Sequence, residues 1–374
     1  MSRTVQSPPR TAPPARLLLA LFASCLATTA ITAQEMNFED YEPVSTLVVE
    51  ENPLTRAKFP FVDVHAHLRG ADAEVIDGIV RDMDAMNMAT FVNLSGRSGQ
   101  NFVDIQAGTA GRHPGRFLNF ANVDFRGIDE PGWAEEQVRG LEEAVENGAV
   151  GLKIYKNLGM FVRDKNGRVP TDDPRIEPIW EKAGELGIPV LIHVGEPSPF
   201  WLPHDRFNER WLELKQFPNR KRDDAERFAP FEQTMAEQHN MFRKHPNTTF
   251  INAHLGWYGN NLGKLGELLD EIPNMYTEIG AVLAELGRQP RTARAFLIKY
   301  QDRVLFGKDS WAPEEYHVYF RVLETEDEYF DYYRRRHAEW KMYGLGLPDD
   351  VLRKIYYENA LEIVPGLDRS LFPQ

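Results

Sequence analysis

The segment Phe61-Val62-Asp63-Val64-His65-Ala66-His67 constrains this chain more than any other, because a short apolar run carries three polar residues at alternate positions. Alternate residues of a strand point the same way, so Asp63, His65 and His67 share one face while Val62, Val64 and Ala66 pack behind them. Two imidazoles on one strand face can be adjacent ligands of Zn2+ or a similar ion. They leave coordination positions that other elements must fill. The competing reading, a pair of core histidines bonded to backbone, leaves three polar residues on an apolar strand without a use.

Other apolar runs end in residues suited to those positions. Gly187 to Ile192 leads to His193, Thr249 to Ala253 to His254, Arg303 to Lys308 to Asp309, and Val150 to Leu152 to Lys153. With Ala89 to Leu94, Phe117 to Asp124 and Asn274 to Ile279, the candidate strands number eight. Between them lie stretches with apolar residues at three-and-four spacing, such as Asp72 to Met86, Trp133 to Asn147 and Pro174 to Leu186. Alternating strands and helices in this number predict a parallel (β/α)8 TIM barrel, whose catalytic groups cluster at the C-terminal ends of the strands. Every candidate ligand falls at such an end.

Taken together, Asp63-Val64-His65-Ala66-His67, Ile192-His193, Ala253-His254-Leu255-Gly256, Leu305-Phe306-Gly307-Lys308-Asp309 and Glu358-Asn359-Ala360-Leu361-Glu362-Ile363 resemble the amidohydrolase superfamily. The similarity is to its amidohydrolase-related branch of hydrolases, lactonases and nonoxidative decarboxylases, and it covers roughly residues 59 to 366. The resemblance implies that His65, His67, His193 and Asp309 bind one divalent metal ion, zinc before manganese, and that His254 acts on the substrate or holds its oxygen. Lys308 and Trp257 depart from the commoner residues of the pattern. A metal held by three neutral imidazoles and a carboxylate keeps net positive charge, which lowers the pKa of a bound water and polarises a substrate oxygen. Asp309 can then accept the proton of the attacking water and pass it on, while His254 stabilises the oxyanion or orients the scissile group.

Lys153 has three readings. As a carboxylated lysine it would bridge a second metal, as in binuclear members of the superfamily. Otherwise it is a cation near a substrate carboxylate, or is paired with Asp63 or Glu278. Tyr155 shares its face. Arg97 and Arg126, after the second and third strands, are candidate anion-binding groups or solvent-exposed charges. The interval from His193 to His254 is about twice that between most neighbouring strands, which predicts an insertion over about 196–247 at the pocket face. It carries Glu196, Trp201 and His204 as substrate-contact candidates, and a basic run, Asn219-Arg220-Lys221-Arg222, expected to be a solvated loop face. Glu324 to Trp340 and Asp349 to Ile363 are expected to be helices flanking the barrel.

The net charge of -13 argues against nucleic acid and anionic membrane surfaces as partners and points to a small-molecule substrate. After residue 33 no long apolar run remains, so stable membrane insertion of the mature domain is not expected, and homo-oligomerisation is left open. Residues 1–33 read as a signal peptide, with Arg3, Arg10 and Arg16 ahead of the apolar block Leu17 to Leu26 and small residues ending at Ala33. The mature chain is then periplasmic or extracellular, with lipidation at Cys25 as the alternative, since Cys25 is the only cysteine. Residues 34–58 form a polar lead-in that crosses the barrel bottom or stays mobile, and 59–374 hold the barrel. The leading function is a metal-dependent hydrolase of an amide, ester or lactone; the second is a nonoxidative decarboxylase of an aromatic or unsaturated acid.

Overall fold

The computed structural model describes residues 35–68, 70–335 and 340–373. Residues 1–48 and 49–374 form two units. The described part of the first carries a short turn at Phe38–Asp40. The expected signal peptide, with Cys25, lies outside the described residues.

The second unit is a (β/α)8 barrel. Its strands are β1 (Phe61–Ala66), β2 (Met88–Asn93), β3 (Phe117–Asn122), β4 (Ala149–Ile154), β5 (Val190–Ile192), β6 (Phe250–Asn252), β7 (Met275–Glu278) and β8 (Val304–Leu305). They pair in sequence order, all in parallel. The seam between β1 and β8 is drawn together beyond the short last strand, where Val64 N donates to Phe306 O (3.0 Å) and Asp309 N to His65 O (2.6 Å). Behind it, Phe61 meets Phe306 and Phe320 with ring centroids 4.8 and 5.4 Å apart. Because the strands are buried on both sides, their sequences read as near-continuous apolar runs.

The crossovers are α1 (Ala73–Met86), α2 (Gly99–Gly108), α3 (Trp133–Glu146), α4 (Glu177–Glu185), α5 (Phe231–Lys244), α6 (Leu262–Glu271), α7 (Pro290–Lys299) and α8 (Pro313–Glu324). Local chemistry sets their ends. Asp72 caps α1 by accepting from Glu74 N and Val75 N, the apolar residues Ile76, Ile79, Met83 and Met86 form its buried stripe, and Asn87 stops it in the left-handed conformation.

One expectation needs correction, and the structure adds detail to two others. The helix expected over 324–340 is absent from its described part; the helix lies just before it, as α8, where Pro313 and two glutamates open the first turn. The described residues after Thr325 form an irregular loop instead, with Tyr329 left-handed, Phe330 bridged to Met342 and the Asp327 carboxylate taken by Asn52 and Arg321. The second expected flank forms, as Asp349–Arg353, Lys354–Glu358 and Asn359–Ile363, with a π-turn in the middle. The lead-in is not free from residue 52 on: Asn52 bonds Asp327, Ala57 N donates to Met86 O, and Lys58 pairs with Asp349. Of the long excursion after β5, residues 231–244 are the regular crossover α5, so the irregular part ends near residue 230. No helix among the described residues is long and apolar enough to cross a membrane.

Candidate metal centre

Four strand ends meet at the mouth near the seam. His65 lies in β1, His193 follows β5, and His254 and Asp309 sit on turns beyond β6 and β8. Those turns are strained: His254, Leu255, Gly256 and Trp257 all have φ between 53° and 59°, and Asp309 has φ of 86°. Left-handed backbone at non-glycine residues costs about 1–2 kcal/mol each, so surrounding contacts must hold the turns in place.

His65, His254 and Asp309 are the tightest set, each offering one ligand atom, with these atoms all within 4.8 Å of one another. Asp309 Oδ1 is 3.5 Å from His65 Nε2 and 3.6 Å from His67 Nε2. His193 meets the group through His254, with Nδ1 3.1 Å from His254 Nε2. All five residues expected at the centre therefore touch one another in a chain, and His254 lies deeper in it than a substrate-facing residue would.

The partners of the outer ring nitrogens set the tautomers. His65 Nδ1 donates to Glu278 Oε1 (2.9 Å) and His254 Nδ1 to Gly280 O (2.7 Å), so the tautomer each bond selects carries its lone pair on Nε2. Around His67 the hydroxyl of Tyr155 bonds Leu94 O (2.9 Å) and stands 3.2 Å from Ser95 Oγ, which is 2.8 Å from His67 Nδ1. Run in one direction, that relay leaves Nε2 of His67 bare towards Asp309. The 3.1 Å contact between His193 and His254 needs either a proton on His193 Nδ1 or a cation shared by the two nitrogens. His193 Nε2 is buried with no hydrogen-bond partner among the described residues.

Electrostatics agree with this donor set. Burial, then the Lys153 charge, holds the imidazole of His65 well below its ordinary range and that of His67 at about 4. Burial and His254 do the same for His193. Burial works to raise the pKa of Asp309, but His65, His254, His67 and Lys153 outweigh it and hold the carboxyl at about 2. Neutral imidazoles beside an ionised carboxylate are the ligands a borderline divalent cation takes, so the residues present fit such an ion.

Lys153 is buried with its Nζ 3.3 Å from His65 Nε2, and burial lowers its pKa to about 7. The expected pairing with Asp63 or Glu278 is not formed. Asp63 accepts from His65 N, Lys308 N and the Tyr316 hydroxyl, and Glu278 is occupied by His65, His254 N and Gly280 N. Burial lifts the carboxyl of Asp63 to about 7 despite the Tyr316 bond. Lys308 points away from the centre, to Glu315 and the Ser310 carbonyl. Trp257, the other departure, packs its ring tilted against His254 (4.6 Å) and lies 5.5 Å from His193.

The expected substrate contacts fare unevenly. Tyr155 is at the centre, stacked on His67 at 5.8 Å. Arg97 is exposed at the mouth, on a left-handed residue whose backbone bonds Asn122. Arg126 is exposed and paired with Asp124. Glu196 is buried between Lys156 (2.7 Å) and Arg222 (3.1 Å), so it serves the loop rather than a substrate. Trp201 donates to Ala229 O and His204 bonds Trp211 O and stacks on its ring, all within the excursion after β5. The basic run is not a solvated face throughout. Arg222 is buried against the rings of Phe161 and Phe228, because its guanidinium balances Glu196.

Sequence reasoning placed Glu278 only as a partner for Lys153, and it passed over Ser95 and Gly280. Their signal was weak: each lies at or just past a strand end, where the barrel collects functional groups.

The model of the amidohydrolase family matches residues 58–366, and the chain belongs to that family. No curated protein matches the sequence. Among solved structures, a TIM-barrel protein from Bordetella bronchiseptica is 15% identical with a TM-score of 0.53, covering 83% of this chain and 100% of its own. The 2,6-dihydroxybenzoate decarboxylase from Rhizobium is 16% identical at 0.51, covering 82% and 98%. The 4-oxalomesaconate hydratase from Rhodopseudomonas palustris is 16% identical at 0.51, covering 83% and 97%. At these identities the likeness is one of fold.

Proposed function

We propose that the chain is a metal-dependent hydrolase of an amide, ester or lactone bond in a small molecule. The observation that carries this reading is Asp309: an ionised carboxylate against His65 and His67, with its side chain 35% exposed at the barrel mouth while His65 is fully buried. A water reaching the centre therefore meets a proton acceptor. His65, His67, His193 and Asp309 would hold the ion, zinc before manganese. When bound, such an ion supplies a Lewis acid that lowers the pKa of a water and polarises a substrate oxygen. Asp309 takes the proton of the attacking water and returns it to the leaving atom. His254, with Nδ1–H committed to Gly280, presents a lone pair at Nε2, so it accepts a proton or orients a donor rather than stabilising an oxyanion while neutral. Trp257 walls the histidines and narrows the approach of water.

A second reading, decarboxylation of an aromatic or unsaturated acid, is favoured by Lys153. No carboxylate lies within 4.0 Å of its buried Nζ among the described residues, which suits it to a substrate carboxylate. The decarboxylase from Rhizobium shares the fold. Turnover of a panel of lactones, aryl esters and hydroxybenzoic acids in 18O-labelled water separates the two. Hydrolysis puts solvent oxygen into the product acid. Release of CO2 with no oxygen incorporation would overturn the leading reading. We also propose export with removal of residues 1–33; a mature terminus near Gln34 by mass spectrometry is expected, and an intact cytosolic Met1 to Ala33 peptide would contradict it.

A further inference from the structure

One buried carboxylate ties together two residues of the centre that come from strands far apart in sequence. Glu278, at the end of β7 and inaccessible to solvent, has an oxygen 2.9 Å from His65 Nδ1 and 2.6 Å from His254 N. Its other oxygen accepts from Gly280 N. Two of these three partners are backbone N–H groups, which can only donate, so Glu278 acts as an acceptor on both oxygens. The surroundings leave room for nothing else. A Cβ on Gly280 would fall 2.6 Å from Glu278 Oε2, and one on Gly307 would collide with the same oxygen and lie 2.9 Å from His65 Cβ.

The two bonds at Oε1 have different consequences. The bond to His65 keeps the proton of that ring on Nδ1 and so leaves the lone pair on Nε2, where Lys153 Nζ stands at 3.3 Å and Asp309 Oδ1 at 3.5 Å. The bond to His254 N pins the first residue of the left-handed turn from His254 to Trp257, the turn that swings the His254 ring between His193 and Gly280 O. Backbone in that conformation relaxes unless something holds it. The segment 278–280 holds it twice, by the Glu278 carboxylate on His254 N and by the Gly280 carbonyl on His254 Nδ1.

We propose that Glu278 is a positioning residue that sets the His65 tautomer and the placement of His254 together, so that both lone pairs are aimed at the centre before any ligand arrives. Glutamine in its place cannot satisfy the same set. If its oxygen serves His65 and His254, its NH2 group faces Gly280 N–H; if it is turned over, the NH2 faces His254 N–H and drives the His65 proton to Nε2.

The test is long-range 1H–15N correlation of the histidine rings in metal-free protein, with His65 assigned through His65→Gln. The proton of His65 is expected on Nδ1 in the wild type and redistributed towards Nε2 in Glu278→Gln. Affinity for Zn2+, read by competition with a chromophoric chelator, is expected to fall about 10- to 100-fold in that variant. Glu278→Asp, too short to reach both donors, should keep the charge without restoring the affinity. A wild-type His65 that carries its proton on Nε2 would overturn the proposal even if no variant folds, and so would an unchanged tautomer and affinity in a folded Glu278→Gln. Neither readout involves turnover, so this proposal can fail while the hydrolase reading stands.

Discussion

The mouth of this barrel is built in two ways. Along the seam, His65, His254 and Asp309 are held by short bonds from strand ends and from one carboxylate, Glu278. Across the mouth, the excursion after β5 is held by buried charge pairs between long side chains, Arg210 with Glu213 and Glu285 and Arg222 with Glu196, and Glu196 also takes the partly exposed Lys156. A neighbouring hairpin, Arg163–Asp164 with Gly167–Arg168, is tied to α5 through Arg168 and Glu237. The seam fixes ring orientation and tautomer, which matter to chemistry. The excursion fixes a wall. Its ion pairs remove the adaptable lid that a long polar insertion suggests, because each buried charge is committed to a partner and moving the loop would strand both.

If that division is right, Asp309→Asn has the largest effect on turnover. Loss of the carboxylate should lower kcat on the order of 10²- to 10⁴-fold with the fold intact by circular dichroism. Activity within about tenfold of the wild type would make the seam no more chemical than the wall. Arg210→Met should do the reverse: Glu285 is left buried beside an apolar side chain while Glu213 keeps Arg220, and urea unfolding is expected to show a loss of about 3–5 kcal/mol. A kcat depressed as strongly as in Asp309→Asn would merge the two regions into one.

Acid should expose the seam next. The imidazole of His67 is lowered to about 4 from an ordinary value near 6.5, and those of His65 and His193 are lowered as well. Unfolded chains take up protons there that the folded protein refuses, so this stability is fully present above pH 6.5 and is lost as pH falls towards 4. Asp63, raised to about 7 from an ordinary value near 3.8, works in the opposite direction across that whole window, one group against three. The melting temperature of metal-free protein should therefore fall between pH 7 and 4.5. A flat or rising profile would show that burial does not hold these rings neutral.

The smallest effect is expected at His204, which bonds and stacks on Trp211 inside the excursion. His204→Ala should leave kcat/KM within about threefold, as expected of a surface substitution away from the reacting atoms. A larger loss would return His204 to the substrate contacts suggested by its position in sequence.

The same division explains what could be read from sequence. The barrel was legible, because strand alternation and apolar runs are local patterns, and so was the position of the five candidate residues, since each stands at the end of one such run. Glu278 was not. Its bond to His65 spans 213 positions and depends on strand register, which no local period encodes. The commitments of Arg210 to Glu285, 75 positions away, and of Arg222 to Glu196 were hidden for the same reason; a charge run looks solvated until its partners are known. The helix misplaced onto 324–340 failed differently: its described residues after Thr325 form an irregular loop in which Tyr333 lies against Tyr319 at 6.2 Å, while Pro313 starts the real helix earlier.

X-ray absorption at the metal edge of protein loaded with one equivalent of Zn2+ tests the central claim most directly. One ion per chain is expected, in a nitrogen and oxygen shell with outer scattering from at least two imidazoles and no metal–metal vector, at ligand distances of about 2.0–2.2 Å. A hydrated spectrum without imidazole scattering, or a metal–metal distance that would make Lys153 a bridge between two ions, would contradict the account.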